Sequence, residues 1–396
     1  MAQCKPCRAE PSAAEGTESA ADPPRSEPGP MRIALLVRSL VSGGTERQVA
    51  LLAAGLAARG HDCTILTFYA APSAPSLPGV RIVHLGKRSR WDVAGFVLRL
   101  WRALRDSDPQ VLYALLPIPN LLAVLARIGR PRLKIVLGLR ASALELRRYD
   151  TLSRLAFYAE ERLARWANAV IVNSEAGRRH ARERGIPEEL LTVVRNGVDL
   201  DRFRPTARAA RASLTDNPGA VLVGMVARWD PMKDHRTFAR ALALVHDRAP
   251  EVAGIVAGDV PPPAREELTR LARGAPLRWR GWQDDMPALY AGLDLLCVPS
   301  AWGEGSSNAI AEAMACGIPC VATDIGDNAM LIGDTGRVAA PGDPQALAEA
   351  ILEFAGMEPA LRAELGRRAR ARIAALCSTD AMVENTLAVF AQLWCR

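Results

Sequence analysis

The chain's 396 residues predict an α/β protein of two Rossmann-like parallel-sheet units facing each other across a cleft. Three observations predict it. From Arg32 onward, short β-branched runs alternate with amphipathic helical stretches, the pattern of a parallel sheet covered on both faces. A turn-rich passage, "NGVDLDRFRPTARAARASLTDNPG", breaks the rhythm, and at Ala220 it restarts with "AVLVGMVA". The length suits two or three domains, and with 49% apolar and 23% charged residues the chain has enough apolar mass to bury full cores.

Residues 1–30 are rich in Pro, Ala, Glu and Ser and lack an apolar stretch, which predicts a disordered tail and no signal peptide; Met31 is an alternative start. The first unit is expected over 31–205, with strands in "RIALLV", "DCTILTF", "VRIVHL", "QVLYAL", "KIVLGL" and "NAVIVNS". Its first helix, "TERQVALLAAGLAARG", opens with Thr45 and Gln48 in capping-box spacing. The apolar run Val111–Gly129 is broken by Pro117 and Pro119 and reads as strand, loop ("LLPIPN") and helix, not a membrane span. A linker is expected over 206–219 and the second unit over 220–375, with strands in "AVLVGMVA", "VAGIVAGD", "PLRWRG", "DLLCVPS" and "IPCVATD". Residues 376–396 read as a final helix capped by Ser378 and packing back on the first unit.

The net charge of +7 favours an anionic substrate or an acidic membrane surface. Aromatics are few and scattered and no nucleic-acid module is present, so nucleic-acid binding is set aside. Eight cysteines are too sparse for a disulfide framework and predict reduced thiols in a cytoplasmic protein, with Cys316 and Cys320 as small apolar fillers.

In open α/β sheets ligands sit beyond the carboxyl ends of the strands, so the loops there carry the chemistry. "EGSSNAIAEAMACGIP" leads from such a loop into a helix with Ser306 or Ser307 as cap and Gly317 as stop. Its free N–H groups and dipole suit a phosphate, and Glu312 shares a face with Asn308. Glu304 and Glu312 are able to accept paired hydroxyl hydrogen bonds at the two ends of a diphosphate; taken alone, the pair reads first as two exposed carboxylates, because most Glu side chains are exposed. "ARWDPMKDH" sets Arg228 and Lys233 at a strand's carboxyl end, where two cations neutralise a diphosphate leaving group. Gly43 and Gly44 allow close backbone approach to a ligand, or form only a turn, and "SGGTE" is not the dinucleotide fingerprint. Asp284 and Asp285 read as helix caps.

Glu304 with Glu312 in E-x7-E spacing, "EAMACGIPCVATD", "ARWDPMKD" and "VVRNGVDLDRF" together resemble the large retaining glycosyltransferase family 4, of GT-B fold. The resemblance runs from Met31 to the C-terminus. It implies a UDP- or GDP-sugar donor, a saccharide or lipid-linked acceptor, retention of configuration, and no cofactor or metal. By similarity Arg228 and Lys233 hold the diphosphate with backbone N–H groups from Gly305, Ser306, Ser307 and Asn308. Glu304 then takes the donor-sugar hydroxyls, Glu312 the ribose, and Trp282 borders the nucleobase, while Gly43 and Gly44 lie near the diphosphate and acceptor. Where many members place a His after the fifth strand, this chain has Arg140, which is no general base but donates hydrogen bonds to a sugar oxygen or phosphate. The family also implies a setting in cell-surface polysaccharide or lipopolysaccharide assembly; a sugar-nucleotide epimerase and a non-catalytic scaffold are the alternatives.

Two basic stretches have bland readings beside sharper ones. "RSRWDVAGFVLRLWRALRDS" places Trp91, Val97, Leu98, Trp101 and Leu104 at helical spacing among arginines, either a helix covering the first sheet or one resting on the inner face of an anionic membrane. "GRRARAR", Gly366–Arg372, reads as a solvated face.

Overall fold

The computed structural model describes residues 29–41, 43–70, 76–89, 91–140, 151–207 and 211–395. The expected disordered tail falls outside them except for its last two residues. The first half alternates β1 (Arg32–Val37), α1 (Gly44–Ala58), β2 (Asp62–Thr67), β3 (Val80–His84), α2 (Ala94–Ser107), β4 (Val111–Leu115) and α3 (Pro117–Ala126). It continues with β5 (Lys134–Leu139), α4 (Thr151–Ala164), β6 (Ala169–Val172), α5 (Glu175–Glu183) and β7 (Leu191–Val193). The short α6 (Arg211–Leu214) leads to β8 (Val221–Val226), α7 (His235–His246), β9 (Val252–Ala257), α8 (Pro262–Leu271), β10 (Leu277–Gly281) and α9 (Met286–Gly292). Then come β11 (Leu295–Val298), α10 (Asn308–Ala315), β12 (Cys320–Thr323), α11 (Asn328–Ile332), β13 (Arg337–Ala339), α12 (Pro344–Ala355), α13 (Pro359–Cys377) and α14 (Thr379–Gln392).

The strands form two sheets, of order β3-β2-β1-β4-β5-β6-β7 and β10-β9-β8-β11-β12-β13, paired in parallel throughout. Each order reverses once, between β1 and β4 and between β8 and β11. At such switch points the following loops splay to opposite faces and leave a crevice. Gly43, Arg228, Lys233 and Glu304 all lie in loops bordering these two crevices.

Alternation along β1 sets the first lobe's layers. Ile33, Leu35 and Val37 pack with α1, and Ala34 and Leu36 pack with Phe96, Leu100 and Leu104 of α2. In β8, Leu222 faces Ile310 and Met314 of α10, while Val221, Val223 and Met225 face Phe238 and Leu242 of α7. The final helix α14 sends Met382, Val383, Val389 and Phe390 into the first lobe's core, where the rings of Phe390 and Tyr113 meet edge-on at 6.0 Å. The Ser378 hydroxyl caps it, accepting from the Ala381 N–H at 3.1 Å.

Several expectations are corrected. Thr45 is not a cap: α1 begins at Gly44, and the Gln48 amide instead exchanges hydrogen bonds with the Gly197 backbone at 2.8 Å in both directions. "LLPIPN" is not a loop beyond Leu116, because Pro117 starts α3, where a missing N–H costs no helical bond. α2 starts after Trp91, so its packed face is Phe96, Leu100 and Leu104 while Leu98 and Trp101 are exposed. In "GRRARAR", Arg370 and Arg372 turn inward to backbone carbonyls of Phe203 and Leu331. Strands β7 and β13 were not anticipated. No helix among the described residues is long and apolar enough to cross a membrane.

Candidate active site

The loop after β11 builds the centre. Gly303, at φ 77°, takes a left-handed turn closed to ordinary side chains and delivers Glu304 into the interior, where it is 7% exposed. There its carboxylate forms an ion pair with Lys233 Nζ, and Ser300 Oγ donates to the same Oε1 at 2.8 Å. Neither Ser306 nor Ser307 caps α10: Ser307 occupies the N-cap position without a side-chain bond. Gly317, at φ 77°, ends the helix as its sequence position suggests.

Lys233 arrives from the loop after β8. Asp230 accepts from the Met232 N–H at 3.0 Å and folds the turn Pro231–Lys233, and Asp234 caps α7 through the Thr237 N–H at 3.1 Å. This double turn aims Lys233 across at Glu304. Arg228 Nη2 leans on Asp230 at 3.2 Å and stays 72% exposed. The cations expected to share one anion therefore part company here: Lys233 is committed to Glu304, and Arg228 faces the opposite lobe, where it acts on the Glu46 carboxyl.

From the first lobe, α1 closes over the loop. Gly43 is its N-cap with no side-chain bond, and Glu46 curls back toward that terminus, its Oε2 filling the space a Gly43 side chain would need. Burial pushes the Glu46 carboxyl up, against the pull of its own backbone N–H, Arg228 and Arg38. One turn on, Arg47 Nη1 meets Glu312 Oε1 at 2.9 Å, and the Tyr290 hydroxyl donates to Glu312 Oε2 at 3.0 Å. Glu312 is thus a buried residue and not a solvated one; burial pushes its carboxyl up and Arg47 pulls it back.

Asn308 joins the lobes. Its Nδ2 donates to Gly44 O at 3.1 Å, and its Oδ1 accepts from Asn196 Nδ2 at 2.8 Å and Gln48 Nε2 at 3.3 Å. Arg140 sits behind, giving Nη1 to Asn196 Oδ1 at 2.8 Å and Nη2 to the Tyr113 hydroxyl at 3.0 Å. Asp327 ties the lobes a second time: its carboxylate accepts the Glu175 and Ala176 N–H groups at 2.8 and 2.9 Å, and its own N–H donates to Gly305 O at 2.9 Å.

Glu304, Gly305, Ser306, Ser307, Asn308, Glu312, Lys233, Gly43, Gly44 and Arg140 are therefore gathered at one interface, with Arg228 at its rim. Trp282 stands apart: it follows β10, the edge strand, is 55% exposed, and its indole donates to Asp284 at 2.9 Å. Asp285 caps α9 through the Ala288 N–H at 3.1 Å. Among the described residues no three His, Cys, Asp or Glu side chains converge as a metal site. Sequence reasoning missed Arg47, Asn196 and Asp327, whose partners lie more than a hundred residues away in the chain; the polar side chains beside the Gly-Gly turn and in "VVRNGVD" were the available signal.

Known proteins share this two-lobed parallel-sheet fold. Residues 42–202 match Glycosyltransferase Family 4, and residues 220–356 match Glycosyl transferases group 1. The chain belongs to this glycosyltransferase family and is a glycosyltransferase of GT-B fold. It is 29% identical over 310 residues to the lipopolysaccharide core biosynthesis mannosyltransferase LpsB of Rhizobium meliloti (strain 1021), covering 74% of this chain and 79% of LpsB. A D-inositol 3-phosphate glycosyltransferase of Salinispora arenicola (strain CNS-205) is 32% identical over 257 residues, but the alignment takes in 59% of this chain and 56% of that relative. Among solved structures, HepE of Anabaena in complex with UDP and glucose superposes with a TM-score of 0.77 at 22% identity, covering 91% of this chain and 99% of that one. WaaG, a glycosyltransferase involved in lipopolysaccharide biosynthesis, gives 0.73 at 18% identity, covering 90% and 99%. At those identities the likeness is one of fold.

Proposed function

We propose that the protein moves a sugar from a UDP- or GDP-linked donor to a hydroxyl of a saccharide or lipid-linked acceptor, with retention of configuration, in cell-surface polysaccharide or glycolipid assembly. The observation that carries the reading is the placement of Glu304 and Glu312 on either side of the α10 N-terminus, each already neutralised by a cation, Lys233 or Arg47. A diphosphate at that terminus takes over Lys233, which frees Glu304 for the sugar hydroxyls, and Glu312 accepts the ribose hydroxyls. Arg228, at the rim, swings from Asp230 onto the phosphates. The bond from sugar C1 to the phosphate oxygen breaks and the acceptor oxygen bonds C1 on the same face, its proton passing to the departing phosphate. Arg140 supplies N–H donors and no base. The role of LpsB in lipopolysaccharide core biosynthesis supports the setting.

The test is turnover of labelled nucleotide sugars with and without acceptor, with the product anomer read by NMR. Transfer with retention by the wild type and loss of it in Glu304→Gln support the reading. A free epimer released without acceptor replaces it with epimerisation, and full biological output from Glu304→Gln replaces it with a scaffold role.

A peripheral membrane contact at the inner face extends the proposal. Trp91, Val93, Leu98 and Trp101 are exposed within an arginine-rich stretch that includes Arg102 and Arg105.

A further inference from the structure

Asn173, which follows β6 at its carboxyl end, is 3% exposed, and its Oδ1 has no hydrogen-bond partner among the described residues. A buried amide oxygen left unpaired costs about 1 to 3 kcal/mol, and native structures keep such atoms where a ligand or strain explains them. Its surroundings point to a ligand. The atom faces Gly305, the residue after Glu304, so closely that a side chain there would fall 2.3 Å from it. The approach is held from both sides. Ser174 caps α5 by accepting the Gly177 N–H at 2.9 Å, and Asp327 accepts the Glu175 and Ala176 N–H groups while donating its own to Gly305 O. Gly326, at φ 63°, lets that backbone lie against Glu304 O and Gly305 O, where a side chain would fall 2.4 Å from both.

We propose that Asn173 is a specificity-determining residue for the donor sugar, its Oδ1 accepting a hydrogen bond from a ring hydroxyl that Glu304 does not take. The assignment rests on the functional reading above. Glu304 grips the sugar from the second lobe and Asn173 meets it from the first, so the sugar completes the contact between the lobes. A pocket that hydrogen-bonds a hydroxyl discriminates strongly against the sugar lacking it, since the amide is otherwise left unpaired.

The test uses the full chain and the nucleotide sugar it turns over from a panel of UDP-glucose, UDP-galactose, UDP-N-acetylglucosamine and GDP-mannose, together with that donor's 3-, 4- and 6-deoxy analogues. Asn173→Ala is expected to lower kcat/KM by about ten- to a hundredfold with the full donor. The same variant keeps its calorimetric Kd for the bare nucleoside diphosphate within about twofold, which also shows that it folds. With one deoxy analogue, the variant and the wild type become equal; Asn173→Asp, which keeps an acceptor oxygen, recovers most of the rate. An unchanged kcat/KM in Asn173→Ala, or equal impairment toward every analogue, overturns the assignment while leaving the functional reading intact. A wild type that turns over none of the panel and binds neither UDP nor GDP overturns both.

Discussion

Arg47 Nη1 and Glu312 Oε1 meet at 2.9 Å across the cleft, so a helix of the first lobe holds the carboxylate of the second. Burial pushes the Glu312 carboxyl up, and Arg47 is the strongest pull in the other direction. Arg47→Ala removes that pull. Calorimetry with UDP should show binding weaker by about 1 to 3 kcal/mol and rising with pH as Glu312 ionises. A variant whose affinity matches the wild type at every pH would separate Arg47 from the nucleotide site.

Lys233 supplies the cation that Glu304 now uses and that a diphosphate would claim. Lys233→Ala should weaken nucleoside diphosphate binding by about 1.5 to 3 kcal/mol, the range for a charge-assisted hydrogen bond. Unchanged affinity for both UDP and GDP would remove Lys233 from the site.

Gly305 lies against Asn173 of the first lobe. Gly305→Ala places a methyl group 2.3 Å from Asn173 Oδ1, so the lobes have to part. A rise in donor KM with a loss of about 1 to 3 kcal/mol in stability is expected, from thermal unfolding and initial rates. Normal kinetics in this variant would mean that catalysis does not use this apposition.

Glu160 of α4 is buried, with Asn120 Nδ2 donating to it at 2.5 Å, and burial raises its carboxyl from 4.5 to about 8. Glu161 raises it further while Asn120 and Arg184 lower it. Between those values the folded chain binds more protons than the unfolded one, so this group's contribution is complete below pH 4.5 and is lost as pH rises through about 8. Glu160→Gln should leave Tm nearly unchanged at pH 4.5 and raise it relative to the wild type by a growing margin up to about 8. A constant margin across that window would contradict the sign.

Trp101 and Leu98 are exposed on α2. The double variant Leu98→Glu and Trp101→Glu should lose sedimentation with phosphatidylglycerol vesicles while keeping its rate on a water-soluble acceptor. Equal sedimentation of variant and wild type would rule out this face as the membrane contact.

The βα alternation was legible because each strand of β1, β5 or β8 carries its own run of β-branched residues and each following helix its own apolar stripe. β7 and β13 are three residues each, too short to show a period. α2 misled because Trp91, which precedes the helix, and Trp101 were read on one helical face, whereas Phe96, Leu100 and Leu104, spaced four apart, are what the sheet accepts. Thr45-x-x-Gln48 satisfied a local capping rule, yet a tertiary bond to Gly197 claimed the Gln48 amide. The E-x7-E carboxylates were readable because both lie on one loop and helix. Their cations were only half readable: Lys233 sits in a recognisable turn, but nothing local in the chain announces that Arg47 will face Glu312.

Since α14 supplies Val383, Val389 and Phe390 to a core whose other members begin at Met31, the first lobe cannot finish folding in the order in which it is translated. Its sheet must wait, with Tyr113 and Leu52 open on one side, until α14 has left the ribosome. A nascent chain stalled before Thr379 would expose that apolar flank to chaperones and proteases, making α14 the segment that decides whether the first lobe survives.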